Sequence, residues 1–595
     1  MKKKIQINSR EILRHLDLKN FPEFSDRTLV PPHPDLDEKL RQEIKKLRSS
    51  KSLMAEKITI RNQKPVGMDD GLIYPGTLYP LGTTAAIAKT GALEKAPLVG
   101  TVRIIVILVN FTDKAISKPV QHYKDLFFSL GVVATGSLRE YYKEVSHNII
   151  DLQGEVVGPF TLAHDENYYA NNNYGWGAAP NARNMAQEAA QLANSAVNYA
   201  NYDNDSDGYV DAFIVIHAGQ GAEVTGNNHD IWSHKWVLPS AYAADGKSVY
   251  AYFTVPDDAN VGVCAHELGH LLFGFPDLYD TDSSSAGIGN WCLMAGGSWN
   301  NGGKTPAHPM AWCKLKQNWV SVSNITANSA TPANIKDIKS NYLAYRLWKN
   351  GASGNEYFLV ENRQKTGFDS YLPAPGLLIW HIDDSIASNS NEAHYKVALE
   401  QADGKKDLEH NVNRGDAGDP FPGSSVNRNF KDTTNPNSKS YAGTGTCVEV
   451  KEISDPATIM TAKFSVSCIV KPKKEHFKEL KKENFKDVKD HQKEIFMDKH
   501  YDKIKDKSEK ENYEKRIDKV VDGRPGDFGK KNFSLEERIL QLEERVNYLA
   551  EPFIGQILRP DLSQGAFLNE EGFSPESGET GTIMSGDEKV QFDTK

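Results

Sequence analysis

At 595 residues the chain is too long for one hydrophobic core, and its length suggests three or four units. Its 39% hydrophobic and 25% charged residues fit a folded soluble protein, and a formal net charge of −9 carries no nucleic-acid signature. Five Cys do not make a disulfide scaffold, and no apolar run approaches the ~18 residues of a membrane span.

Residues 1–98 are polar. Met1-Lys2-Lys3-Lys4 is not followed by an apolar stretch, so no secretory signal is visible. A Pro-rich bend, Pro31-Pro32-His33-Pro34, precedes an amphipathic helix from about Asp35 to Ser49, with Leu36, Leu40, Ile44 and Leu47 on one face. Thr101–Asn110 reads as a buried strand, followed by a helix carrying Leu138–Tyr142. Ile149–Val157 alternates and reads as a strand: either it borders a substrate cleft, where an extended peptide pairs with its edge, or it lies inside the sheet. An Ala-rich helix is expected from about Met185 to Ala200.

In Asp203-Asn204-Asp205-Ser206-Asp207-Gly208-Tyr209-Val210-Asp211, side-chain oxygens alternate and Gly sits at the turn, as at the start of an EF-hand loop. The twelfth position is Ile214 rather than Glu, so a shortened loop holding a structural Ca²⁺ through Asp203, Asp205, Asp207 and Asp211 is the reading; a solvated acidic turn is the alternative. The strand Ala212–His217 and the run Ile231–Trp236 follow. His217, His229 and His234 are read as hydrogen-bonded residues outside any metal site.

Val261–Phe273 contains His266-Glu267-Leu268-Gly269-His270. Two imidazoles four residues apart share one helical face, where both can grip one Zn²⁺ while Glu267 reaches the metal-bound water. The helix is apolar around the motif, and buried paired His need a partner. It stops at Gly274-Phe275-Pro276-Asp277, with Gly as the terminating residue. Asp277 is the expected third zinc ligand; Asp280 or a more distant acid is the rival. Pro309–Lys316 closes this region as a helix.

From 325 to 468 short runs are split by Gly, Pro, Asn and Asp, which predicts an antiparallel, sandwich-like β domain. The loop Arg414–Pro420 is an ordinary polar turn or a weak second Ca²⁺ loop. Residues 469–532 are a charged linker or helix. Within 533–560, Ser534-x-x-Glu537 caps a helix with Leu535, Ile539, Leu542, Val546 and Leu549 at heptad spacing, a candidate oligomerising or docking helix over 535–549. Residues 561–595 form a polar tail. Cys292 with Cys313 and Cys447 with Cys468 are possible disulfide pairs, as is a fully reduced set.

His266-Glu267-x-x-His270, Gly274-x-Pro276-Asp277-x-Tyr279-Asp280 and Trp291–Trp299 together resemble the immune inhibitor A-like zinc metallopeptidases, over roughly residues 100–465. In the general metzincin pattern Gly and the third ligand each fall one residue earlier than Gly274 and Asp277 do. The resemblance implies a pro-segment or N-terminal wrap at 1–98, for which a permanent surface arm is the alternative, and a metzincin-like catalytic domain at 99–324, with Met294 in a Met-turn beneath the zinc; on the residues alone Met294 is a core residue. No Cys precedes Cys264, so latency cannot use a cysteine switch.

The expected fold is α+β: a metzincin-like protease domain, then the β-rich domain, then a charged helical tail. The expected activity is a zinc-dependent endopeptidase acting on protein or peptide substrates, with Glu267 as general base. The alternative is a zinc-binding, non-proteolytic binding or surface-assembly protein acting through its tail. The resemblance places the protein outside the cell or on the cell or spore surface.

Overall fold

The computed structural model describes residues 30–49, 97–281 and 283–468, and the backbone of 584–585 and 588–589. Two units separate, Met1–Ile469 and Val470–Lys595. In the second, Met584–Ser585 pairs antiparallel with Glu588–Lys589. The expectations for 469–532 and 533–560 fall outside the described residues.

The near-continuous apolar run of β1 (Gly100–Asn110) is buried from Ile104 to Val109, as a central strand covered on both faces must be. It pairs in parallel with β2 (Ile150–Thr161) and β3 (Phe213–His217). The sheet order is β2-β1-β3-β5-β4: β5 (Lys247–Pro256) is parallel to β3, and β4 (His234–Ala244) closes the sheet antiparallel. Ile149–Val157 is thus neither interior nor beside the HExxH helix: β2 is the edge farthest from β4, covered by helices α2 (Val120–Phe128) and α3 (Leu138–Val145). The edge next to the HExxH helix is β4.

Helix α4 (Ala182–Ala193) starts earlier than the composition suggests, because Asn181 and Asn184 form a reciprocal cap. It ends seven residues before the expected Ala200, and the chain re-forms a 3₁₀ turn at Tyr199–Tyr202.

The HExxH helix, α5 (Val261–Phe273), is buried along its whole length and packs on β5 and β4. It ends at Gly274 with φ 60°, a left-handed conformation that glycine adopts without the Cβ penalty.

The β-rich region adds two sheets. One has the order β11-β10-β9-β8-β6: β11 (Val397–Leu399), β10 (Gly376–Asp383), β9 (Glu356–Arg363), β8 (Leu343–Leu347) and β6 (Ser321–Ile325). The other is β12 (Glu449–Lys451), β13 (Ile459–Ser465) and β7 (Ala333–Lys336). Pairing is antiparallel except for β6, which runs parallel to β8.

β10 is buried on both faces. Leu377 and Ile379 join a core with Phe430, Val450 and Phe464, while Leu378, Trp380 and Ile382 join the core of the HExxH region. The contact between the two regions also carries charge. Arg363 grips Asp369 through two guanidinium nitrogens at 2.7 and 2.5 Å, and Asp369 accepts from the His308 amide at 2.9 Å.

Of the two possible Cys pairs, Cys447–Cys468 is bridged, while Cys292 and Cys313 are buried thiols. The Cys292 sulfur accepts from the Met294 and Met310 amides, each at 3.4 Å. A loop closed over 21 residues should contribute about 3 kcal/mol by constraining the unfolded chain. Cys447→Ser is therefore expected to lose that amount in urea unfolding; unchanged stability would mean the bridge does not form.

Candidate active site

α5 presents His266 and His270 on one face, fully buried. Their Nε2 atoms lie 3.0 Å apart, and Asp277 Oδ1 is 3.1 Å from His266 Nε2 and 3.2 Å from His270 Nε2. A tetrahedral ion bound at about 2.0–2.1 Å needs ligand atoms about 3.3 Å apart, so these three atoms close in on the geometry zinc requires. The other ring nitrogens face carbonyls, His266 Nδ1 at 3.0 Å from Leu293 O and His270 Nδ1 at 2.5 Å from Phe275 O. Donation through Nδ1 turns both Nε2 atoms toward Asp277 Oδ1 and fixes the rings.

The extra residue between His270 and Asp277, relative to the metzincin spacing, lies before Gly274 and lengthens the helix, which runs to Phe273; the chain then reverses at Gly274 and brings Asp277 back to the two imidazoles. Asp280 is engaged elsewhere. Its Oδ2 accepts from the Ser284 hydroxyl (2.7 Å) and from the Ser285 amide and hydroxyl (both 2.8 Å). Met294 lies under α5: a Cβ at Gly269 would come within 2.9 Å of its sulfur. The helix passes this close because residue 269 has no side chain.

The three set-aside histidines lie outside the cluster. His217 Nδ1 is 3.1 Å from Ala218 O, His234 bridges Trp232 O (2.7 Å) and Tyr252 Oη (3.0 Å), and His229 pairs with Asn167. Burial lowers both the His217 and His234 rings to about 4.

In the acidic loop, Asp203, Asp205 and Asp211 bring carboxylate oxygens within 4.8 Å of one another. Asp207 is not in that group, and its Oδ1 accepts from the Tyr209 amide at 2.8 Å. Lys247 contacts Asp203 at 2.6 Å, and Asp211 accepts from the Asn204 amide at 2.6 Å.

Sequence reasoning missed what meets Glu267. The Val30 amide donates to Glu267 Oε1 at 3.1 Å, across 237 residues of chain. The Trp232 indole N–H donates to Val30 O at 3.0 Å, and the Trp299 indole to Pro31 O at 2.5 Å. The His33 amide donates to Glu223 O at 2.8 Å. Val30 is completely buried, and Leu36 and Leu40 of helix α1 (Pro34–Ser49) are buried too. Asp37 holds Arg414 at 2.7 Å. The only sequence signal was the Pro run, which favours an extended strand with few amide donors.

Glu223 lies under this segment, with its carboxylate accepting from the Ser233 hydroxyl (2.6 Å) and amide (3.0 Å). Burial pushes its carboxyl up to about 7. A folded value above the unfolded one of about 4.3 means the contribution is full below that value and lost as pH rises to about 7. Glu223→Gln, which resembles the protonated acid, is expected to raise stability on the order of 3 kcal/mol at pH 8 and leave it unchanged at pH 4. An equal effect at both pH values in urea titrations would refute the buried-acid reading.

Residues 95–325 match the family described as immune inhibitor A peptidase M6, catalytic domain. Over 253 residues the chain is 31% identical to the pre-pro-metalloprotease PrtV of Vibrio cholerae serotype O1, in two strains, covering 35% of this chain. Over 197 residues, 27% of this chain, it is 31% identical to immune inhibitor A of Bacillus thuringiensis subsp. alesti. The match spans 28% of the length of each relative. Residues 95–325 are therefore similar to the immune inhibitor A peptidase catalytic domain, and the matched span holds the whole HExxH helix and Asp277.

Proposed function

We propose that the chain is a zinc endopeptidase acting on proteins or peptides, held latent by its own residues 30–42. The convergence of His266 Nε2, His270 Nε2 and Asp277 Oδ1 beside Glu267 carries this reading. A zinc ion held there would supply Lewis acidity to a water and to the scissile carbonyl. Glu267, next in sequence to His266, takes the proton of the attacking water and hands it to the leaving nitrogen. His266 and His270 are fixed through their Nδ1 contacts, and Met294 keeps the floor apolar. Val30 occupies the carboxylate oxygen that the water's proton needs, and Pro31 and its neighbours fill the approach. Latency of this kind uses a backbone amide and requires no cysteine.

Asp203, Asp205 and Asp211 are the proposed Ca²⁺ ligands, with Asp207 at the rim; ion binding there must displace Lys247. No described helix is long and apolar enough to cross a membrane. The Cys447–Cys468 bridge supports an oxidising location outside the cell or on its surface.

Chelation tests both metals together. Casein clearing by the Val30→Asp chain should vanish with chelator and return with zinc. Calcium alone should restore the melting temperature but not the clearing. Clearing that persists in chelator would refute the zinc reading, and a melting temperature indifferent to calcium would refute the second site.

A further inference from the structure

Glu267 can deliver a proton to the leaving nitrogen only by contacting the nitrogen that follows the scissile bond. In the structure that contact is made by the Val30 amide at 3.1 Å. We infer that residues 30–33 lie in the cleft as the departing half of a substrate does, so that the enzyme takes peptides with an aliphatic residue just after the scissile bond and holds the two following carbonyls with the indoles of Trp232 and Trp299. This rests on the peptidase reading above.

The side-chain preference follows from Val30, whose side chain is completely buried: an aliphatic group gains there, and a charged one has to shed its water. The main-chain grip follows from chemistry. An indole N–H is a donor only, and with the segment in place Trp232 and Trp299 are 4% and 7% exposed, so a main-chain carbonyl is the partner each donor meets in the filled cleft. Their present acceptors are Val30 O and Pro31 O, consecutive backbone carbonyls that every peptide carries. The second position past the cleavage point is filled by proline, which has no N–H to place, so that subsite tolerates proline. In hydrolysis the water hydroxyl bonds to the carbonyl carbon, the C–N bond breaks, and the proton carried by Glu267 goes to the nitrogen standing where Val30 N stands.

The test uses the full-length Val30→Asp chain, in which a carboxylate placed where Val30 is completely buried should expel the segment. The peptide Val-Pro-Pro-His-Pro-Asp-Leu, matching residues 30–36, is titrated in by calorimetry against the same peptide beginning with Asp. The Val peptide should bind at least about tenfold tighter. Trp232→Phe and Trp299→Phe should each weaken its binding about three- to tenfold. Equal affinity for the two peptides, or binding unmoved in both Trp variants, would overturn the inference.

Should either Trp variant misfold, the comparison of the two peptides stands without it. Mass spectrometry of casein digests is the second readout, with new amino termini rich in Val, Ile and Leu. Casein cleaved without that preference would sink the specificity and leave the peptidase standing. Uncleaved casein would sink the peptidase, and the peptide titration would still decide what the cleft binds.

Discussion

The full-length Val30→Asp chain should hydrolyse casein about 10- to 100-fold faster than the parent. Val30 anchors the segment by burying its whole side chain, a gain of about 1.5–3 kcal/mol, and every 1.4 kcal/mol is a factor of ten in the closed population. The substituted carboxylate would also have to shed its water in the site that buries Val30 completely. The remaining anchors are the Asp37–Arg414 pair, the His33 amide on Glu223 O, the indole bonds to Val30 O and Pro31 O, and buried Leu36 and Leu40; those beyond Pro32 keep the following helix docked while Val30 is displaced from Glu267. Initial rates on a fluorogenic casein decide it. Equal rates in parent and variant would mean that the segment does not obstruct the cleft.

Glu267→Gln in that opened background should then lower turnover by about 10²–10⁴-fold with metal content unchanged. The amide keeps the size of the side chain and an acceptor oxygen but cannot carry a proton. His266, His270 and Asp277 are untouched, and their Nδ1 contacts to Leu293 O and Phe275 O do not involve residue 267. Turnover should be followed beside metal analysis of the same preparation. Retained turnover with metal bound would remove Glu267 as the base, whereas loss of both would make its role structural.

The core of the site was legible because it is local. Four-residue spacing, an apolar helix and the stop at Gly274 lie within one stretch, and each signal needs only neighbours in sequence. The same holds for α3, whose Ser137–Glu140 capping box marks its start. What was not legible depends on long-range placement. β2 and β4 both look like half-buried strands, and which one lies beside α5 is set by the order of crossovers, which alternation does not encode. The parallel β6–β8 pair was hidden for the same reason.

The occupant of Glu267 was the least readable of all. A backbone amide has no side-chain signature, its partner lies 237 residues away, and Trp232 and Trp299 are as ordinary in a core as in a cleft. The Asp203–Asp211 loop stands between these cases, its spacing plain but its contents shared with Lys247 and the Asn204 amide.

The centre of the site is tested most directly by an anomalous-scattering map collected at the zinc edge from crystals of the full chain. One peak is expected, about 2.0–2.2 Å from His266 Nε2, His270 Nε2 and an Asp277 carboxylate oxygen, with its remaining side open toward Glu267. A zinc-loaded crystal with no peak between those three atoms, or with a peak that leaves Asp277 unligated, would contradict it.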